Sequence, residues 1–440
     1  MFAAIGLIMK YDAVVVGENF AAYAAAAMIC RRGISCALVT EPDAAGGRSR
    51  ITGSDGFTFD YGVLSDRFAG LHPEKVLKTL GIPVRFHEVG RTMYFNGSKP
   101  VPLPESAGGA MASPMLGLKG KAAWARLFRS LKQQTADPYK YKKSVADWLL
   151  NVSSADQDLT EYISLRAAAA LDVTALERIA VGTFIDAMKE TGGRSQVVPL
   201  GGWECVFKEL ENVILGGGDI ISGAGFEGIA VGDGCVRGVR AGGELIEADF
   251  VAAALPVRRL LEKIPEEIIA ENWRRPLKNI EPAFGLILHL GLDRPVTSER
   301  GAIITMDPFT RGMAVSNIEP SLAPRGCQLL TWFIPAPESA LRNAEELKNL
   351  RLRIKEILEL LFPNIMEHVI SERWSALDPV GSALPVIEQT KEELPPAQVF
   401  EAAGIMMLND AVNAGGGKGE PALRAAFEAA SAAGKRLKKQ

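Results

Sequence analysis

The segment Tyr11–Arg50, "YDAVVVGENFAAYAAAAMICRRGISCALVTEPDAAGGRSR", limits what this chain can fold into more than any other. An apolar run, Ala13–Val16, ends on Gly17; a stretch of small residues with helical spacing follows; a second apolar run, Ile34–Val39, leads to Gly46-Gly47-Arg48. Two buried parallel strands joined by a close-packed helix satisfy that order, which is the βαβ unit of dinucleotide-binding folds. Gly17 falls where a tight turn excludes a Cβ, and the helix after it aims its N-terminal amides and positive dipole end at a pyrophosphate. The usual spacing is G-x-G-x-x-G, whereas this chain reads Gly17-Glu18-Asn19-Phe20-Ala21-Ala22. Asn19 adds a side chain where backbone approaches phosphate, and Ala22 adds a methyl where helix packs on sheet. A Glu18 carboxylate about 5 Å from a phosphate would be repelled by roughly 3 kcal/mol at an effective dielectric near 20, so it is expected to face away. Ungapped counting places the ribose-binding acid on Thr40, with Glu41 next; either Glu41 reaches the ribose after a slip, or Thr40 makes a weaker bond.

The rest of the chain repeats this character at intervals. Thr92–Pro104 reads as a hairpin turning at Asn96-Gly97. Ala122–Glu190 has helical spacing, and Met111–Met115 lies in a loop suited to a lid. After Val197 come Gly201-Gly202, an amphipathic helix and four short strands. A helical piece surrounds Trp273, and strand-like runs follow at Phe284–Leu292, Gly301–Met306 and Cys327–Pro335. A helix is expected from about Glu338 through Leu361, and a strand, a glycine-rich turn and a helix close the chain. Nucleotide-type features at the start, middle and end predict an α/β fold. Its Rossmann-like nucleotide domain is assembled from three chain segments (10–89, 197–275, 396–440), and residues 90–196 and 276–395 supply a mixed α+β substrate domain.

At 440 residues with a formal net charge of −3, the chain has room for large cores and no basic excess for nucleic acid. Cys30, Cys36, Cys205, Cys235 and Cys327 form no C-x-x-C pair and are odd in number, so neither a disulfide framework nor a cysteine metal site is expected, and a reducing cytoplasm is the simplest setting. His72, His87, His289 and His368 are not spaced as metal ligands. The opening "MFAAIGLIM" reads as neither signal peptide nor membrane span; with the basic "KRLKK" end it leaves peripheral membrane contact open.

"AAGGRSR" followed by "GFTFDYG" resembles the large flavoprotein group containing phytoene desaturases, carotenoid isomerases, protoporphyrinogen oxidases and flavin amine oxidases. Gly46-Gly47-Arg48 matches its G-G-R element, and Gly56, Phe57, Asp60 and Gly62 match its G-F-x-x-D-x-G element. "VPLGGW" looks like its P-x-G-G segment. The run from Gly218 to Pro256 looks like its adenine-side strands, with Phe226 where valine is usual. "LNDAVNAGGGKGEPALRAAFEAA" looks like its closing motif, with Asp410 in place, Asn409 replacing glycine, and Gly417 in the glycine run. The similarity spans nearly the whole chain and is nearest in flavour to phytoene-desaturase-like enzymes. It implies FAD bound by Gly17, Asn19, Ala22, Thr40 or Glu41, Gly46, Gly47, Arg48, Asp60, Gly62, Phe226, Asn409, Asp410 and Gly417. It also implies oxidoreduction of a lipophilic small molecule, by dehydrogenation or redox-neutral isomerisation. No catalytic acid or base is assigned, because in such chemistry the flavin takes the hydride. The alternative is a cofactor-less binding or scaffold protein on the same fold. For the enzyme reading, an apolar cavity is expected between the strands Phe284–Leu292 and Cys327–Pro335 and the helices of Ala122–Glu190, with His289, Trp203, Trp332 and Trp374 as possible wall residues.

Overall fold

The computed structural model describes residues 9–41, 51–60, 67–154, 156–416 and 418–437. One seven-stranded sheet gathers strands from the start, middle and end of the chain. Its order is Gly218–Ser222, Cys36–Thr40, Met9–Val16, Glu244–Ala253, Cys235–Ala241 and Phe226–Gly232, with Ile405–Met407 also paired to Glu244–Ala253. The strands around Met9–Val16 run parallel, with Val14 opposite both Ala37 and Val251, and Ala252 opposite Met406. Their carboxyl ends therefore share one edge, where open α/β sheets bind ligands.

The helix Phe20–Cys30 is buried along its whole length. It packs on that sheet and against the helices Gly202–Leu215 and Glu420–Leu437. Its alanines favour the helix and let neighbours approach on every side, which is how a helix without a polar face is accommodated. Phe20 meets Trp203 edge-on at 5.8 Å, and Tyr23 meets Phe207 at 5.1 Å.

A second seven-stranded sheet has the order Val369–Gly381, Ala283–Leu292, Gln328–Pro335, Phe309–Met313, Ile303–Met306, Met93–Phe95 and Pro100–Pro102. Along Ala283–Leu292 the even residues Leu286, Leu288, Leu290 and Leu292 pack with Ile354 and Leu358 of the helix Ala344–Leu361. The odd face carries glycines because aromatic rings lie on it: a Cβ at Gly285 would stand 2.6 Å from the Phe333 ring, and one at Gly291 would stand 2.7 Å from Phe57. The single helix expected from Glu338 is divided into Glu338–Arg342 and Ala344–Leu361, because the Asn343 side chain accepts the amides of Glu345 and Glu346 and starts a new N-terminus. The hairpin is present as Met93–Phe95 against Pro100–Pro102. The helices Leu118–Ala136, Val145–Ser153, Gln157–Leu171 and Val181–Thr191 enclose their own core around Leu127, Trp148, Leu165 and Phe184.

Candidate cofactor and substrate site

The first turn is shaped by three tied strand ends. Gly17 N–H donates to Val39 O at 3.0 Å, and Ala254 N–H donates to Val16 O at 2.7 Å. Gly17 has φ +136°, and a Cβ there would lie 2.8 Å from Ala254 O. Only glycine combines that backbone with that approach.

The two asparagines that replace motif glycines make the same pair of bonds. Asn19 caps the helix Phe20–Cys30: its Oδ1 accepts Ala22 N–H at 3.0 Å while its Nδ2 donates to Ala254 O at 2.9 Å. Asn409, 1 % exposed, accepts Ala411 N–H at 3.0 Å and donates to Leu255 O at 2.9 Å. Each amide lies along its own turn and ties it to the turn after Glu244–Ala253. Asn19 borders both cavities described below, and Asn409 the outer one. The Asn19 carbonyl also takes the amides of Ala22 and Tyr23, which leaves Phe20 and Ala21 as first-turn donors at the helix N-terminus. Ala22 is fully buried against the sheet.

Thr40 is buried at the end of its strand opposite Ser222 and lines neither cavity described below. Glu41 follows it, with Oε1 2.5 Å from Arg259 Nη2. Arg259 also approaches Glu18, with Nη1 3.7 Å from Oε1. Burial raises the Glu18 carboxyl above its ordinary pKa, and Arg259 opposes that rise. Phe226 opens its strand with its ring in the nucleotide-domain core and lines neither cavity described below. Asp410 accepts Ser382 N–H at 2.8 Å, and a Cβ at Gly381 would sit 2.9 Å from its other oxygen. Asp60 ends the strand Phe57–Asp60. Gly46, Gly47, Arg48, Gly62 and Gly417 lie outside the described residues.

Two spaces meet at Asn19. The outer is a cleft of 670 Å³ bordered by Glu18, Asn19, Ala254, Pro256, Arg258, Arg259 and Asn409. The inner is a cavity of 120 Å³ at the N-terminal ends of Phe20–Cys30 and Glu420–Leu437. Its walls are Phe20, Leu171, Phe284, Phe333, Leu384 and Leu423, with Asp410 at its edge. A cluster that the sequence did not reveal also reaches it. Arg311, 6 % exposed, donates from Nη1 to Asp172 Oδ1 at 2.6 Å, and its guanidinium stands 5.6 Å from the Phe333 ring centre. Lys418 Nζ lies 3.6 Å from the same carboxylate and donates to Ala169 O at 2.7 Å. Lys418 interrupts the glycine run and was open to notice on that ground. Asp172 follows a helix, Arg311 sits mid-strand and Arg259 lies on a surface helix, so none of these stands out in sequence.

The expected wall is formed only by the ends of the two strands, at Phe284, Phe333 and Pro335, and by Leu171 and Asp172 from the helical unit. The strand centres are packed core. His289 is completely buried beside Phe59, bonded through Nδ1 to Thr331 Oγ1 at 3.1 Å, and desolvation lowers its pKa to about 3. Trp203 and Trp332 are core residues, and Trp374 lies beneath Arg351 away from the cavity. In the closing motif, Glu420 is buried and paired with His72 Nδ1. Among the described residues, no group of three potential ligands could hold a metal, and no helix is long and apolar enough to cross a membrane.

A glycine cradle closed to any Cβ, two helix N-termini at one cavity and a cleft of dinucleotide scale suit a flavin dinucleotide; the carboxylates of Glu18 and Glu262 on that cleft are discordant with it. A family profile described as flavin containing amine oxidoreductase matches residues 24–432. The chain belongs to that family. It is an FAD-dependent oxidoreductase of α/β fold. A 4,4'-diapolycopene oxygenase from Methylomonas sp is 25% identical over 212 residues, a match covering 40% of this chain and 42% of that protein, so it spans less than half of either. An oxidoreductase from Methanosarcina mazei superposes with TM-score 0.76 at 20% identity, covering 98% of this chain and 100% of that one. Wild-type putrescine oxidase with putrescine bound gives 0.70 at 14% identity over 98% and 100%. These two likenesses establish the shared fold.

Proposed function

We propose that this flavoenzyme oxidises or isomerises a lipophilic small molecule in the inner cavity. The observation that carries the reading is the cavity's lining: apolar side chains from the end of the helix Gln157–Leu171 and from three strands, at Phe284, Phe333 and Val380, beside Asp410 and the first turns of two helices. Ligand sites of this kind are mainly hydrophobic with a few placed polar groups. FAD would be held by the Gly17 turn, the amides of Phe20 and Ala21, Glu41 and Asp410, with Gly46, Gly47, Arg48, Asp60, Gly62 and Gly417 assigned to it by motif. When bound, FAD supplies a two-electron acceptor for hydride. The protein's own part is to exclude water with Leu171, Phe284, Phe333 and Leu423 and to fix a polar end of the substrate against the Asp172–Arg311–Lys418 cluster. The oxygenase relative named for diapolycopene supports a long apolar substrate.

The inner cavity's 120 Å³ favours a second reading, a small amine, since it falls below the usual range of about 300–1,000 Å³ for ligand sites. Titrating the FAD-loaded protein with polyenes, quinones and diamines decides between them. Saturable flavin reduction by polyenes, or saturable tryptophan quenching by polyenes or quinones, supports the first reading, and a response to diamines alone supports the second.

A peripheral lipid contact belongs to the first reading. The helix Leu118–Ala136 carries Lys119, Lys121, Arg126, Arg129 and Lys132 and no acidic residue, and it exposes Leu118 and Phe128. Apolar residues among basic ones are what an anionic membrane surface attracts.

A further inference from the structure

The phosphate-facing turn carries a carboxylate, and among the described residues one cation answers it. Glu18 Oε2 is buried and has no hydrogen-bond partner among the described residues. Its Oε1 faces Arg259, whose other nitrogen holds Glu41 at 2.5 Å. Arg259 comes from the helix Val257–Lys263, which starts just beyond Ala254 and Leu255, the two carbonyls gripped by Asn19 and Asn409. The guanidinium is thus delivered by the same turn that completes the phosphate cradle. Among the described residues, the other cations of the outer cleft are engaged elsewhere: Arg258 and Arg342 each lie 2.8 Å from Glu338. Glu262 adds a further negative charge to the cleft.

We propose that Arg259 is a cofactor-retention residue, which neutralises Glu18 and orients Glu41 so that the pyrophosphate of FAD can settle on the Gly17 turn. A phosphate brought to this turn without Arg259 would meet two uncompensated carboxylates in a partly dry cleft, where like charges repel far more than in water. With Arg259 the cleft presents a cation shared between two acids, and a guanidinium can bond phosphate and carboxylate together through its several donors. The inference rests on FAD occupying this site.

The test is FAD affinity of the full-length apoprotein, measured by calorimetry and by quenching of flavin fluorescence, with thermal melts confirming folding. Arg259→Gln is expected to weaken binding about tenfold, the scale of one charge–charge contact at a half-exposed site. Arg259→Lys should recover most of that loss, and so should adding Glu18→Gln to Arg259→Gln. A merely structural arginine would not be rescued by removing the carboxylate's charge. Glu18→Gln alone should bind FAD severalfold more tightly. Unchanged affinity in Arg259→Gln, or no rescue by Glu18→Gln, overturns the proposal. Should Arg259→Gln fail to fold, Glu18→Gln decides alone: tighter binding supports the role, and equal or weaker binding overturns it. Wild-type protein that takes up no FAD overturns the FAD site itself and is distinguishable from all of these.

Discussion

Gly17→Ala should be the most damaging single methyl that can be added to this protein's first turn. Two costs combine there. A Cβ would stand 2.8 Å from Ala254 O and 3.0 Å from Ala254 Cβ, and both neighbours are fixed by strand pairing and by Asn19. Forcing extra volume into such a site costs about 1–3 kcal/mol. The backbone at φ +136° adds about 1–3 kcal/mol for a residue that has a Cβ. The sum is about 2–6 kcal/mol, a large share of a domain's stability. Gly33→Ala is the matched control: it also has positive φ, +75°, but a Cβ there meets nothing within 4 Å, so it incurs the backbone cost alone. Urea unfolding of both variants, followed by far-UV circular dichroism, gives the difference. Gly17→Ala should lose at least about 1 kcal/mol more than Gly33→Ala, the lower bound of the overpacking cost. Equal losses would refute the claim that Gly17 is required by close approach to Ala254.

Three further predictions follow from other sites. Asn19→Gly should destabilise the protein by about 1 kcal/mol, the net worth of the bond to Ala254 O, since glycine itself is a tolerable N-cap; unchanged unfolding would show that this clamp contributes nothing. His289 is held neutral with a folded pKa near 3, below its unfolded value near 6.5. The unfolded chain therefore binds the extra proton first as pH falls, and stability should drop by up to about 1.4 kcal/mol per unit between roughly pH 6 and 3 on this account; His289→Phe should flatten that part of the pH profile, and an identical slope in the variant would refute it. Leu118→Ser with Phe128→Ser should cut sedimentation with anionic phosphatidylserine vesicles without changing binding of FAD, while equal sedimentation of wild type and variant would remove the lipid contact.

How legible each feature was depends on whether its cause is local. Ala13–Val16 and Ile34–Val39 announce themselves because buried parallel strands are apolar throughout and because Gly17 and Gly33 punctuate them. Phe284–Leu292 is readable for the same reason, and Asn96-Gly97 carries its own turn chemistry. The division at Asn343 was also locally encoded, as an N-cap followed by two glutamates, yet helical periodicity on both sides masked it. Asn19 and Asn409 look like departures from a glycine pattern. Their role depends on the carbonyls of Ala254 and Leu255, more than 150 positions away, which no local pattern reports. The same holds for Arg259, which meets Glu18 and Glu41, and for Arg311 with Asp172: tertiary packing makes the pair, and neither arginine is unusual where it stands. The expected apolar wall was drawn too long for a related reason. Apolar strand composition is the same whether a face lines a cavity or meets a helix, and Leu286, Leu288 and Leu290 meet Ile354 and Leu358. Gly285, a natural place to test that wall with a bulky residue, is instead filled by Phe333, so Gly285→Trp would disrupt the sheet and could not report on a cavity.

FAD enclosed by the Gly17 turn, Glu41 and Asp410 would colour the purified protein, and its visible absorbance reads this without any substrate. The expected result is a yellow protein, or apoprotein that turns yellow on adding FAD and retains it through gel filtration. Heat denaturation should then release FAD in an amount equimolar to the chain, and Asp410→Ala should reduce that amount. Colourless protein that shows no FAD uptake by calorimetry would rule out this FAD site and leave a binding protein built on a flavoenzyme fold.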